Sequence, residues 1–524
     1  MRNAARIRDQ WWTTPSLRSL NADAITYGLV TISCILIAFV FLRTYGSLFA
    51  TGAVLIGGIV LLATLYRVDW GFNFLMLFVL TFGQFEVPGF DTFTFRVSYF
   101  KNLKEIEYLP YISFGDVNLF ELHLLLVVFI WFVKTCLQKG TNLRRVSLTL
   151  QSIMWGMWLV FSFVLGMQKG GEFLPALWEC RALVYLSILS FFVPQVLQTK
   201  KDINGLVWVM IIGVTIKALE GVLRYADNGW SNVGYEALQA HEDPLFISML
   251  IVLLFGLMLF GGNRVQRIVL VTLTPILLLG FWTGQRRAAM AAFIASLITF
   301  LIMLPWADFR RSLKVVIPLI GILMVYVAVF WNSSSSLAGP LKQIRSGMDS
   351  DDESGTGIVV KDQDYLSNLY REIEEYNLAF TIQGSPAVGI GFGTKYEQPL
   401  KLVDIPYSLR DFMAHNNIIW LFAKVGTIGF FFFWFLLNSA ALKGTKLLRV
   451  LDDPYLKTVC GLIIVCIIGL MIAAYYDLHL VRYRTMIYVG TLMGVLSTLE
   501  TLHKQQNSSP AASQDSTRQQ TSGP

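Results

Sequence analysis

From residue 25 to residue 499 the chain alternates between long apolar runs and short polar connections. As a helix, an apolar run of about 20 residues matches the hydrocarbon thickness of a bilayer. Such runs fall at 25–42, 48–65, 71–85, 119–133, 151–167, 177–197, 203–223, 244–260, 268–283, 288–304, 315–331, 417–438, 457–475 and 485–499. The third and the last are short enough to be re-entrant instead. A bilayer offers no water to backbone N–H and C=O groups, so these runs must satisfy themselves as helices. The pattern predicts an all-α, polytopic transmembrane bundle of about 12–14 spans, without an internal repeat.

The 524 residues are 55% hydrophobic and 15% charged, with a mean hydropathy of +0.56. A soluble domain carries roughly 25% charged residues, so the apolar excess must face lipid. The net charge of +7 would point to nucleic acid only if it were gathered on a soluble domain. Here Lys and Arg are spread through short loops, so no nucleic-acid partner is expected and the charges read as topology determinants. Cys34, Cys136, Cys180, Cys460 and Cys466 form no CxxC pair. They read as small apolar residues, not as a disulfide frame or zinc site. The basic N-terminus (Arg2, Arg6, Arg8, Arg18) leads into Ile25–Phe41 without a clear small-x-small cleavage site, the pattern of an uncleaved first span.

Lys and Arg collect on alternate connections: the N-terminal arginines, Arg67, Lys134 to Arg145, Lys200 and Lys201, Arg264 and Arg267, Arg310 to Lys314, and Lys443 to Lys457. The positive-inside rule makes that side cytoplasmic, so an inner-membrane protein with both termini inside is expected. The expected divisions are a cytoplasmic segment 1–24, a transmembrane bundle 25–331, a large outer loop 332–416, C-terminal spans 417–500 and a disordered cytoplasmic tail 501–524. Segments 86–118 and 224–243 also fall outside. The loop 332–416 is too long for a passive connection in a compact bundle, and candidate chemistry concentrates there.

That loop opens on an acidic run, Asp349 to Glu353. A D-x-D pair can hold a divalent metal in nucleotide-sugar transferases, but a solvated flexible run is the better reading. Residues 364–383 predict a helix, because Leu366, Leu369, Ile373, Tyr376 and Phe380 repeat at three and four residues. Arg371 points away from this stripe; its bland alternative is an exposed i,i+4 pair with Glu375, worth about 0.3–0.5 kcal/mol. The segment Pro386-Ala-Val-Gly389-Ile-Gly391-Phe-Gly393 permits a tight backbone whose N–H groups could approach an anion. His415-Asn416-Asn417 stands directly before a span. The asparagines suit an N-cap, and the positive helix end disfavours imidazolium, leaving His415 able to accept a proton. At about 100° per residue, Ile419, Phe422, Gly426 and Gly429 follow the face of His415, with Lys424 opposite. Such a glycine face admits another helix or a lipid chain.

Thr283-Gly284-Gln285-Arg286-Arg287 puts two arginines on the outer side against the positive-inside trend. Guanidinium grips phosphate oxygens in a bidentate manner; a lipid-headgroup contact is the alternative. Glu179 with Arg181, and Lys217 with Glu220, are intramembrane charges, functional candidates or mutually neutralising pairs. Arg224, His241, His479, Arg482 and Arg484 also fall on the outer side, without interpretable spacing.

His415-Asn416, nine residues, Gly426, two residues and Gly429 fit the signature of the O-antigen ligases. Thr283 to Arg286 resembles their span-edge Thr-Gly-Ser-Arg-like segment, and Arg371 with 386–391 their loop arginine and Pro-x-x-Gly-x-Gly turn. The chain thus resembles the O-antigen ligase and polymerase superfamily over about residues 280–430. The resemblance implies a GT-C-like helical fold and a periplasmic glycosyltransferase. Its donor would be an undecaprenyl-diphosphate-linked glycan and its acceptor a glycan or lipid A core. Transfer would proceed with no metal, nucleotide or other cofactor. Membrane lipids and other polysaccharide-assembly membrane proteins are the further partners it implies. On this reading Arg286, Arg371 and His415 are catalytic, and Arg287, Gly389, Gly391, Asn416, Gly426 and Gly429 contact substrate. The rival class is a transporter or flippase for a lipid-linked or anionic solute; the absent internal repeat and the large loop oppose it. A non-catalytic scaffold has no use for the three polar residues together.

Overall fold

The computed structural model describes residues 31–39, 41–42, 46, 48–84, 93–97, 99–105, 116–137, 143–144, 146–230, 238–284, 286–333, 341, 358–403 and 409–520. The N-terminal arginines, Gln285 and the acidic run Asp349–Glu353 lie outside them. The described residues form helices and no named strand. In chain order the long helices are α1 (Leu48–Tyr66), α2 (Val68–Thr81), α3 (Leu119–Leu137), α4 (Thr149–Gln168) and α5 (Phe173–Val196). They continue as α6 (Lys200–Asp227), α7 (Asp243–Phe260), α8 (Arg264–Thr283), α9 (Arg287–Met303) and α10 (Trp306–Phe330). The last four are α11 (Ile358–Gly384), α12 (Asn417–Val450), α13 (Pro454–Tyr476) and α14 (Tyr483–Gln520). Each apolar run predicted from residue 48 onward lies on one of them, and residues 31–39 are helical as well.

Among the described residues nine helices are long and apolar enough to cross a membrane, and Thr51–Tyr66, Val68–Thr81 and Arg287–Met303 are shorter apolar helices. The protein is therefore a polytopic helical membrane protein. Burial separates central from peripheral helices: 78% of the apolar window of α13 is buried, against 22% in α8. α14 packs along α5, and α13 against α7, α9 and α12. The exposed Leu62, Phe129, Val160 and Ile302 stand on outer helix faces, which water would not tolerate as one continuous apolar surface. The last helix is not short: its inner part is buried, and it runs on to Gln520, past the point where composition suggests an unstructured tail. A packed helix needs no new nucleus to extend into polar sequence.

Several helices start on side-chain caps. Thr199 and Asp202 form a capping box at α6, while Asn263 caps α8 and Asp453 caps α13. Glu179 and Arg181 do not neutralise each other but pair with residues far away in sequence. Glu179 meets Lys424 at 2.7 Å, and Arg181 meets Glu121 at 3.1 Å. Lys217 does bind Glu220, at 2.5 Å, and Glu220 also binds Arg224. Lys424, placed opposite the His415 face by helix phase, is fully buried with Glu179. Its Nζ also donates to the Thr394 carbonyl. A buried lysine is tolerable only with such partners.

Candidate active site

α11 contradicts the usual inference from periodicity. Much of its apolar stripe is turned outward: Leu369, Tyr376 and Phe380 are 38%, 54% and 42% exposed, with Ile373 half-buried against the core, while Glu374, Asn377 and Thr381 are buried. The side chain of Leu366 lies outside the described residues. The buried face holds because its polar groups are matched. Asn377 donates to the Leu400 carbonyl at 2.8 Å and accepts from the Leu400 N–H at 3.1 Å. Thr381 accepts from the Glu397 N–H at 2.9 Å. A buried polar group with both roles satisfied costs little, so this face can be the packed one.

The same face carries Glu374 to His415. The His415 ring nitrogen Nδ1 lies 2.8 Å from Glu374 Oε2, and the His415 backbone N–H donates to that oxygen at 3.2 Å. A carboxylate only accepts, so Nδ1 is the donor toward Glu374, and a neutral ring in this orientation would hold its lone pair on Nε2. Tyr370 meets the imidazole edge-on, with centroids 5.8 Å apart. Asn416 caps α12 by accepting from the Ile419 N–H at 3.2 Å. Its amide donates to Glu375 at 2.7 Å. Glu375 is thus engaged with Asn416, and the expected i,i+4 pair with Arg371 is not formed. Half-buried Arg371 has no hydrogen bond or ion pair among the described residues. It lies between Tyr370 and Glu374 on the helix that orients His415.

The glycine segment inserts into a break in α12. Gly426 has φ 66° and ψ −177°, outside helical geometry. The opened backbone pairs with the segment after α11. Ile390 donates to the Ala423 carbonyl at 2.9 Å, Gly391 to Lys424 at 3.0 Å, Thr427 to Pro386 at 2.9 Å and Ile428 to Ala387 at 3.2 Å. The N–H groups of Gly389, Gly391 and Gly393 all have protein acceptors, namely Ser385, Lys424 and Glu179. The glycines therefore serve close backbone approach: a Cβ on Gly389 would meet the Lys424 oxygen at 2.4 Å. One on Gly391 would meet the Gly166 nitrogen, also at 2.4 Å. Gly429 faces Trp158, whose Nε1 donates to the Val425 carbonyl at 2.9 Å. The helix phase drawn from His415 is therefore interrupted before it reaches Gly429. Beside this break, Met154, Met157, Trp158, Phe161 and Phe432 line an apolar groove of about 270 Å³.

Arg286 is the N-cap residue of α9, and Arg287 opens its first turn. Arg286 stands in the electrostatic field of a second histidine–carboxylate pair, in which His241 Nδ1 lies 2.5 Å from Asp477 Oδ2. Burial works to raise the Asp477 pKa, but His241, His479 and Arg286 hold it well below the usual carboxylate range. Three residues on, the Leu480 N–H donates to Asn417 Oδ1 at 2.8 Å. That bond ties the connection carrying Asp477 to the α12 entrance where His415 sits. Arg484 is fully buried on Glu242 and Asp243, at 3.0 and 2.8 Å.

Glu374, Tyr370 and Asp477 were not legible as site residues. Glu374 lies 41 residues from His415, and no spacing rule links them. His241 is legible only as an outer-side histidine.

The buried charges and the two histidine–carboxylate pairs sit within a helical bundle with lipid-facing outer helices, and they mark candidate functional positions. Residues 269–434 match the family model described as O-antigen ligase. This match supports assignment to the O-antigen ligase superfamily and an O-antigen ligase- or polymerase-type membrane function. The matched segment runs from α8 into α12 and contains Arg286, Arg371, Glu374, His415 and the glycine segment. No curated protein matches the chain.

Proposed function

We propose that the protein transfers or polymerises an undecaprenyl-diphosphate-linked glycan at the periplasmic face of the inner membrane, for cell-surface polysaccharide. The observation that carries this reading is the Glu374–His415 pair on the helix that bears Arg371, within the family-matched segment. His415 takes the proton of the acceptor hydroxyl through Nε2 as that oxygen attacks the anomeric carbon. Glu374 positions the imidazole and stabilises it once protonated. Arg286 and Arg371 stabilise the departing diphosphate as the anomeric C–O bond breaks with its electron pair on phosphate oxygen; Arg287 is a further phosphate contact. The apolar groove beside Trp158 suits a stretch of polyprenyl chain. Gly389, Gly391, Gly426 and Gly429 act on substrate indirectly, by holding the α12 break that sets the loop against the His415 entrance.

The test is glycan release from undecaprenyl-diphosphate oligosaccharide by the purified chain in detergent with EDTA and candidate acceptors. Wild type should release glycan and form a new glycosidic bond, and Arg371→Ala should not. Movement of the lipid-linked sugar across proteoliposomes without any new bond would replace this reading with transport.

A further inference from the structure

The chain places a second oriented imidazole within the electrostatic field of Arg286. His241 lies in the connection between α6 and α7, and its side chain is 32% exposed. Asp477, 9% exposed, holds Nδ1. The other Asp477 oxygen accepts the Leu478 N–H at 2.7 Å, which fixes the carboxylate. An ionised carboxylate on Nδ1 makes that nitrogen the donor and turns the lone pair of Nε2 outward. Nε2 of His241 has no protein partner among the described residues. Asp477 faces the ring, Arg286 and Arg482 oppose its protonation, Glu242 follows it in the chain, and buried His479 lies beside Asp477. Glu242 is committed to Arg484. The ring thus combines a carboxylate orienter, an open nitrogen and two neighbouring arginines, an arrangement suited to an anion that brings its own negative charge.

We propose that His241 is a second substrate-facing imidazole, which gains a proton when the diphosphate of a lipid-linked donor settles beside Arg286. This rests on the reading of Arg286 as a diphosphate contact. In the free protein, burial together with Arg286 and Arg482 lowers the His241 pKa against the pull of Asp477. A bound diphosphate cancels the arginine charges and adds its own attraction, so Nε2 takes one proton from solvent. The imidazolium N–H then donates to the phosphate oxygen that receives the electron pair of the breaking C–O bond. The proton returns to solvent when the diphosphate leaves, while the acceptor proton goes separately to His415.

The experiment is calorimetric binding of a farnesyl-diphosphate-linked sugar to the full chain in lipid nanodiscs, without acceptor. Both phosphates of this probe are esterified and hold no proton near neutral pH. Repeating the titration in buffers of different ionisation enthalpy gives the protons taken up. Wild type should take up about one proton per probe near pH 6.5. His241→Gln should bind with none, about tenfold more weakly at pH 6 and equally at pH 8.5. A merely structural role would not confine the defect to low pH. Because the chain has only five histidines, carbon-13 histidine spectra of wild type give a check independent of folding: one ring should convert to imidazolium on adding probe. Binding without proton uptake, or uptake that survives His241→Gln, overturns the inference and leaves Arg286 in place. Failure of wild type to bind the probe overturns the donor site itself, and the inference with it.

Discussion

Replacing Gly426 by alanine tests whether the break in α12 is structural machinery. At φ 66° and ψ −177° an alanine is strained, at a cost of about 1–3 kcal/mol. The new Cβ would also meet the Ala387 oxygen and the Gly389 nitrogen, each at 2.4 Å. Those atoms are backbone, pinned by the four hydrogen bonds between 386–391 and 423–428, so they cannot swing aside as a side chain would. Relief requires losing two or more of these bonds, at about 1 kcal/mol each net. The combined cost is about 3–5 kcal/mol, concentrated in detachment of the 386–393 segment. Limited proteolysis of the loop and tryptophan-monitored melting in detergent would both read it, because Trp158 is bonded to Val425 in the same break. Gly156, with nothing within 4 Å of its would-be Cβ, is the control position. A Gly426→Ala protein that melts and resists protease like Gly156→Ala would refute the reasoning.

Glycan transfer should fall about 10²–10⁴-fold in His415→Ala, and by a smaller factor in Glu374→Gln, which keeps a hydrogen-bonding group but not the charge. Equal transfer rates for Glu374→Gln and wild type at matched protein levels would remove Glu374 from the site. Glu179→Ala strands Lys424 in the interior and should cost about 3–5 kcal/mol in detergent melting, with the Glu179→Leu, Lys424→Met pair recovering most of it; an undiminished single variant would contradict the buried pair. Burial depresses His479 from 6.5 to about 4, so the unfolded chain binds the extra proton between these values. Stability is then full above pH 6.5 and declines as pH falls toward 4, and His479→Gln should flatten that decline. Burial raises and Arg484 lowers the Glu242 pKa, with the net value falling from 4.5 to about 2. Its contribution is lost over that lower window, and melting midpoints measured from pH 8 to 3 should separate the two.

Much of the architecture was legible in sequence because lipid imposes one rule everywhere: an apolar run long enough to cross must be a helix. That rule located the helices from Leu48 to the C-terminal span. It also marked Arg286, an arginine at a span end against the positive-inside trend, while Arg371 stood out on a helix of the long outer loop and His415 as the residue before a helix cap. On α11 the same reasoning failed. Periodicity reports which face is apolar, and the packed face was settled by Asn377, Thr381 and Glu374 finding partners far along the chain. The spacing of apolar residues along one helix holds no information about those partners. The glycines were legible as positions of unusual backbone, but not as the two sides of one close contact, because Gly389 and Gly426 meet only after α12 breaks. Sequence alone therefore determined the helices and the candidate polar residues, through local rules of solvation. Which carboxylate orients which histidine, Glu374 for His415 and Asp477 for His241, was decided only by tertiary structure. Those pairings span 41 and 236 residues, and only packing brings such distant groups within hydrogen-bonding range.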